Sequence, residues 1–335
     1  MSVELTVCGD EVVEGKTHVG YLHRGFEKLM ERRTFIQCFP IVCRICVPEP
    51  DFNEYCYAAA VEDLAGIQSP ERANWIRALV LEMGRINSYL MYLGGQAGAL
   101  GQGVIGQWTT YARDLMLDRF EEMTGARIYH MFILPGGVRD GLPEGFEQRM
   151  EETLREIEST LKDVHDVMFH NAVFKKRTVG LGVIDPAWLD QYGVTGPNAR
   201  AAGVAKDVRR DQPYLVYREL DFEPVIGHDS DIYTRADVRR RDLLMSVDLI
   251  RQILGQDAAQ RPADGGHAEH AALEDSARRN LYPRRMFARR IRLLPGHRRQ
   301  RLPASGQRAR PVLHPRHGAA GTHDRQRQHF RRGRA

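Results

Sequence analysis

PERANWIRALVLEMGRINSYLMYLGGQAGAL, residues 70–100, reads as one long helix around which the rest of the chain is arranged. Pro70 suits a first-turn position, because its missing N–H has no partner there and its φ is already helical. Ser69 stands before it as an N-cap. Ala73, Ile76, Val80, Met83, Ile86, Leu90 and Leu93 recur at helical spacing. Trp75, Leu79 and Met91 spread apolar surface onto other faces. A helix apolar on most sides is expected at the centre of a bundle. Gly94, Gly95 and Gly98 either let a neighbouring backbone come close or loosen the helix end. Glu82 and Arg85 lie inside this apolar stretch, and buried charges must pair, so both are expected to have defined partners.

Outward from this helix, Val3–Val7 and Glu11–Val13 alternate around Gly9-Asp10 and read as a hairpin. Thr17–Arg32 reads as a helix entry, Phe35–Val42 as apolar and irregular, and Cys43–Pro50 as a loop with two prolines. Phe52–Leu64 returns to helix and ends at Gly66. Tyr111–Thr124 is a helix capped by Gly125, and PGGVRDGLP at 135–143 is a loop. Residues 143–170 read as a charged helix with the stripe Phe146, Met150, Leu154, Ile157, Leu161, Val164 and Met168. Arg177–Ile184 reads as a short strand, Gly193–Pro213 as a loop and Ala236–Leu254 as the last helix. The expected fold is mainly α: a helical bundle around residues 70–100, with small β pieces (α+β).

The 335 residues carry a formal net charge of +4, which averages two unlike parts. Residues 256–335 hold 19 arginines, 7 of the 13 histidines, 6 acidic residues and no lysine, a net charge of +13. Residues 1–255 therefore carry −9. The domain expectation follows this break, with a structured unit at 1–255 and an Arg-rich tail at 256–335. The tail's charge alone would fit a nucleic-acid arm, yet it lacks interleaved aromatics and any binding-fold signature. A stretch too charged to fold is the blander reading. Arginine, proline, alanine and histidine without lysine is also what GC-rich DNA yields out of frame. RRMFARRIRLLPGHRR, residues 284–299, back-translates so that a one-nucleotide shift gives AECSRGEFGYYLVTDG, a strand-like segment. The out-of-frame reading is preferred, and no nucleic-acid partner is expected. No run of about 18 apolar residues predicts a membrane span, and no secretory leader is visible.

Chemistry-bearing residues cluster between positions 43 and 54. Cys43 and Cys46 form a CxxC, a spacing that can hold zinc, nickel or an iron–sulfur cluster. A metal needs more ligands, no second CxxC exists, and His18 and His23 lie at no ligand spacing, so an incidental pair is preferred and no metal is assigned. Glu49, Asp51 and Glu54 follow; close carboxylates raise one another's pKa and serve as proton carriers. A solvated loop with Asp51 as an N-cap is the competing account, and Arg44 offsets the charge. His23-Arg24 with Glu27 forms either an interface patch or a salt-bridged surface. Asn198, Arg200, Arg209 and Arg210 make a basic glycine-rich loop, but GxGxxG and GxxxxGK[ST] are both absent, so NADH binding by this chain is unsupported.

HVGYLHRGFEKLMERRTFIQ (18–37), AVEDLAGIQSPERANWIRALVLEMGRI (60–86), FEEMTGAR (120–127), PGGVRDGLP (135–143) and RAAGVAKDVRRDQPY (200–214) follow one another in a recognisable order. Over roughly residues 3–255 the chain resembles the D subunit of NADH-quinone oxidoreductase (complex I), itself related to the large subunits of membrane-bound nickel–iron hydrogenases. That family ends in a segment similar to ARGELGYYLVSDGS, close to the shifted string above. The resemblance implies a peripheral-arm subunit on the cytoplasmic face of a membrane. It implies a quinone cavity shared with an iron–sulfur partner, next to membrane-embedded subunits. Quinone is then a substrate, while NADH, flavin and iron–sulfur clusters belong to partner subunits. The family's quinone-facing tyrosine aligns on Val47 and its buried aspartate on Ala99. The hydrogenase pattern R-x-C-G-x-C begins at Arg44-Ile45-Cys46, but its second cysteine falls on Glu49 and its histidine on Asn53. A degenerate nickel–iron subunit and a pure scaffold are the alternatives. Glu49, Cys46 and Arg44 are the candidate catalytic residues. Val47, His23, Arg24, Arg85 and Ala99 are the candidate cavity or interface positions.

Overall fold

In the central helix, the ten consecutive residues from Trp75 to Gly84 are all buried, so this segment has no solvent face. A computed structural model describes residues 2–260 and side chains as far as residue 256. The Arg-rich tail expected from residue 256 onward lies almost wholly outside the described residues. Among those described, no helix is long and apolar enough to cross a membrane.

The chain opens with an antiparallel hairpin, β1 (Ser2–Cys8) and β2 (Glu11–His18), with an irregularity at Thr6/Val7. Its turn is at Gly9-Asp10, as the alternation predicts. Short helices α1 (Phe26–Met30) and α2 (Phe35–Val42) follow, then α3 (Pro50–Ala65). The central helix is α4 (Glu71–Ala99), followed by α5 (Gly103–Thr124). A two-residue ladder, β3 (Ile133–Leu134) with β4 (Gly137–Val138), leads to α6 (Phe146–Val164). A single π-helical turn, His165–Phe169, extends α6. Four short helices come next: α7 (Ala172–Thr178), α8 (Pro186–Gln191), α9 (Gly196–Ala201) and α10 (Val208–Asp211). The described part closes with α11 (Ile232–Gln260). The fold is mainly α with small β pieces, as expected.

α4 packs chiefly against α5 and α11, and α6 packs against α5. The stripe read on α6 is the buried one: Phe146, Met150, Leu154, Ile157, Leu161, Val164 and Met168 all lie at 0–1% exposure. Gly94 explains how α4 and α5 approach so closely. A Cβ there would sit 2.2 Å from Thr109 Oγ1 and 3.4 Å from Gly106 Cα. Only glycine facing glycine admits that contact.

Four local readings are corrected. Residues 17–25 contain strand and turn, so the helix expected at 17–32 shrinks to α1. Residues 35–42 are helical, started by a capping box in which Thr34 and Gln37 satisfy each other's backbone N–H groups. Residues 177–184 form the end of α7 and a loop instead of a strand. Ser69 does not cap α4: Pro70 holds that position, and the Ser69 hydroxyl is buried without a hydrogen-bond partner.

Candidate functional site

The loop before α3 and the middle of α4 meet at a cleft of about 440 Å³, lined by Glu49, Phe52, Arg85, Ser88, Tyr89, Tyr92, Pro197 and Arg239. Glu49 is the residue before α3 and is half-buried. Its carbonyl accepts a hydrogen bond from Asn53 Nδ2 at 3.2 Å. The Arg85 guanidinium lies 5.1 Å from the centre of the Phe52 ring, and that of Arg239 lies 4.2 Å from Tyr92. Two cations, three aromatic rings and one carboxylate therefore share a single recess.

Arg85 is fixed from below. Its Nε donates to Glu82, with distances of 3.2 and 3.4 Å to the two carboxylate oxygens. Glu82 is fully buried and also accepts from Arg209 Nη1 at 3.1 Å, Tyr217 OH at 2.6 Å and Ser246 Oγ at 2.6 Å. Burial pushes the Glu82 carboxyl up, but Arg85, Arg209, Ser246 and Tyr217 outweigh it and hold its pKa at about 2. Arg209 continues to Asp207, which pairs in turn with Arg200, and Arg200 reaches Asp242. Three carboxylates and three guanidiniums thus balance inside the protein. The partners expected for Glu82 and Arg85 exist. The loop read as basic is different in character: Arg200 and Arg209 are buried ion-pair members, and Arg210 is exposed and paired with Glu223.

A second buried group lies along the first two turns of α3. Asp51 Oδ1 is 2.7 Å from His130 Nδ1, and both residues are buried. The imidazole stacks on Phe120 at 4.0 Å between ring centres. Burial lowers the His130 pKa, but the Asp51 carboxylate raises it more and sets the net direction upward. Glu54 accepts three backbone N–H groups, from Met131 at 2.7 Å, Phe132 at 2.9 Å and Ile133 at 3.3 Å. Tyr129 and Met131, on either side of His130, have φ of 61° and 47°. These left-handed residues curl the loop before β3 so that successive N–H groups converge on one carboxylate. Burial and neighbouring Asp51 nevertheless raise the Glu54 pKa to about 7. Asp51 Oδ2 has no hydrogen-bond partner. Asp51 is therefore an ion-pair partner of His130 in the interior, which corrects its reading as an N-cap.

The candidate residues divide. Glu49 and Arg85 come together in the cleft. Arg44 lies close to Cys43: its Nη1 donates to Pro40 O at 2.9 Å and contacts Cys43 Sγ at 3.1 Å. Arg24 joins it by donating to the Arg44 carbonyl at 2.8 Å. Cys43 is fully buried, and burial followed by Glu54 lifts its thiol to about 11. Cys46 is half-buried. Among the described residues, no third donor joins the two cysteines in a metal-sized group. Val47 is half-exposed and His23 exposed. Ala99 is exposed at the far end of α4, ~21 Å along the helix axis from Arg85 at 1.5 Å per residue, and does not belong to the cleft. Sequence reasoning missed His130, Tyr217, Tyr89, Tyr92 and Arg239. The basic run ADVRRRD at 236–242 was a usable signal for Arg239, whereas His130 sits 79 residues from its partner and left none.

Residues 100–287 match the family model described as respiratory-chain NADH dehydrogenase, 49 kDa subunit. The chain is 45% identical to the D subunit of NADH-quinone oxidoreductase from Thermosipho melanesiensis over 253 residues, 76% of this chain and 69% of that protein. It is 36% identical to the D subunit of F(420)H(2) dehydrogenase from Methanosarcina mazei over 252 residues, 75% of this chain and 67% of that protein. A solved structure of an archaeal respiratory membrane complex, the membrane-bound sulfane sulfur reductase, contains a chain of similar fold. It superposes with a TM-score of 0.75 at 42% identity, covering 78% of this chain and 70% of that one. The chain belongs to the family of the 49 kDa (D) subunit of respiratory-chain NADH dehydrogenases and is a subunit of an oxidoreductase complex.

Proposed function

We propose that this chain forms the acceptor side of a membrane-bound respiratory complex, where a planar, carbonyl-bearing acceptor of the quinone type is reduced. One observation carries this reading: the cleft combines Arg85 and Arg239 with Phe52, Tyr89, Tyr92 and the carboxylate of Glu49. Aromatic faces suit a flat ring. Guanidinium groups donate to carbonyl oxygens and stabilise the negative charge that develops on them as electrons arrive. Reduction of a quinone takes two electrons and two protons; the electrons come from an iron–sulfur partner subunit over the 43–53 loop. NADH and flavin belong to other subunits, and membrane-embedded subunits lie below, with the complex on the cytoplasmic face. Glu49 donates a proton at the rim. Glu54, with its pKa near 7, is the buried acid suited to resupply.

A quinone analogue titrated into the assembled complex tests this. Arg239→Met should weaken binding roughly tenfold, the loss of one charge-assisted hydrogen bond. Affinity unchanged within about twofold on that same scale would remove the cleft from the reading. A second reading has specific support: Val47 and Ala99 stand where the resemblance expects polar quinone contacts, and the sulfane sulfur reductase chain is 42% identical. In that reading the complex is hydrogenase-related and reduces another acceptor. Turnover with a water-soluble polysulfide but not with quinone would select it.

A further inference from the structure

The single π-helical turn at His165–Phe169 closes α6, and a histidine pair brackets it. In an α-helix, residues five apart are turned ~140° from each other, so His165 and His170 would point to different faces. The i→i+5 turn brings them together, and such turns recur at functional sites. Their ring centres lie 4.8 Å apart at 72°. Asp166 Oδ1 is 4.0 Å from His170 Nδ1. One donor atom from each of His165, Asp166 and His170 falls within 4.8 Å of the others. His165 Nδ1 is enclosed and has no hydrogen-bond partner. His165 is only partly buried, and with no protein partner on this nitrogen it is an available Lewis base.

We propose that His165, Asp166 and His170 form a binding site for a divalent transition metal ion, zinc being the simplest occupant. Two imidazoles and a carboxylate are the donors zinc takes, and three protein ligands leave a fourth position open to water. With zinc–ligand bonds near 2.0–2.2 Å, tetrahedral donors sit roughly 3.4 Å apart. Rotation of the two exposed side chains, Asp166 and His170, closes the remaining gap. Arg240 is the adverse charge near His165, and Asp237 holds it through bonds of 3.0 and 2.7 Å. His165, Asp166 and His170 lie on a different element from the residues that line the cleft. The inference stands independently of the proposed function.

Zinc ion alone, titrated calorimetrically into the metal-free full chain carrying Cys43→Ser and Cys46→Ser, tests it. One zinc per chain is expected to be lost on adding His165→Ala and His170→Ala. Because that pair of changes touches the packing of α6, His170→Gln alone, at an exposed position, is the second variant. It should keep the parent melting temperature without zinc and bind at least tenfold more weakly. Equal stoichiometry and affinity in parent and His170→Gln would overturn the site.

Discussion

Two buried acids, Glu82 and Glu54, have opposite electrostatic fates, and pH separates them. Glu82 has a folded pKa of about 2 against 4.5 for the unfolded chain. Its stabilisation is present above pH ~4.5 and is lost as pH falls toward 2; a shift of this size corresponds to about 3 kcal/mol. Glu54 has a folded pKa of about 7 against 4.5. The folded chain then binds the extra proton between those values, so stability falls as pH rises through that window, by about 3 kcal/mol at full expression. His130, raised by Asp51, acts in the same direction, contributing stability below its ordinary pKa that is lost on the alkaline side. Denaturant midpoints measured from about pH 4.5, above the window of Glu82, to about pH 7 should therefore fall as neutrality is approached, and Glu54→Gln should flatten that fall. An unchanged slope would show that Glu54 ionises normally. Glu82→Gln is a harsher change. It leaves Arg85 and Arg209 buried beside a neutral amide, and breaking such a network costs about 3–5 kcal/mol. Urea unfolding of the variant measures it. Ser246→Ala, which removes one donor and no charge, should cost only about 1–2 kcal/mol.

Among the elements, the contact between α4 and α5 gives a matched pair of tests. Gly94 faces Gly106 across the interface, whereas the neighbouring Gly95 has nothing within 4 Å of where its Cβ would stand. Gly95→Ala should stabilise by roughly 0.5–1 kcal/mol through helix propensity. Gly94→Ala should destabilise by roughly 1–3 kcal/mol, because the added carbon meets Thr109 and the facing backbone. Thermal melts of the two variants check both signs. This pair also shows what sequence can and cannot convey. The GlyGly at 94–95 was legible as either a close approach or a loosened helix end, and which of the two glycines faces α5 depends on helix phase and packing. The apolar stripe of α6 was fully legible because its spacing is regular and its outer face charged. α2 was not, because Pro40 inside FIQCFPIV reads as a breaker. The capping box ahead of it and burial of Phe35, Cys38, Phe39 and Val42 override one missing N–H. Positions 177–184 alternate like a strand, yet Gly180 and Gly182 turn to φ of 69° and 61°, and two backbone bonds, Ile184 N to Ser230 O and Ile232 N to Leu181 O, tie the segment to the start of α11, too few for a ladder. At the site, local carboxylate clustering near Glu49 was visible. The His130 and Tyr217 contacts close over long sequence separations, and nothing local encodes them.

For the whole molecule, the arrangement of α3 turns a local cluster into a candidate proton route. Glu49 precedes the helix at the cleft rim, and Asp51 and Glu54 occupy its first turns. The backbone rises only about 1.5 Å per residue along these turns, so the three residues follow one another closely from rim to interior. Burial first and Asp51 second raise the Glu54 pKa, and Asp51 pairs with His130. A proton held at Glu54 would therefore have an ionisable neighbour, Asp51, on the way out to Glu49 at the rim, whereas Glu82, held at a pKa of about 2, only fixes Arg85. Electrons and protons would meet in the cleft from different sides: electrons from the partner over the loop, protons along α3. The assembled complex distinguishes the roles of the two acids. Glu49→Gln should slow turnover roughly tenfold or more, the low end of what a positioned proton donor contributes, with binding of a quinone analogue nearly unchanged. Glu54→Gln should instead move the pH profile, removing the limb near neutrality that its own titration sets. Arg85→Lys, as a control, should weaken acceptor binding without moving the profile, since lysine keeps the charge but loses the planar fork. The decisive measurement is turnover from about pH 5 to about pH 9, the range a carboxylic acid of raised pKa would govern. If Glu49→Gln and Glu54→Gln both follow the parent over that range, the carboxylates of α3 serve folding alone and protons reach the cleft from the solvent side.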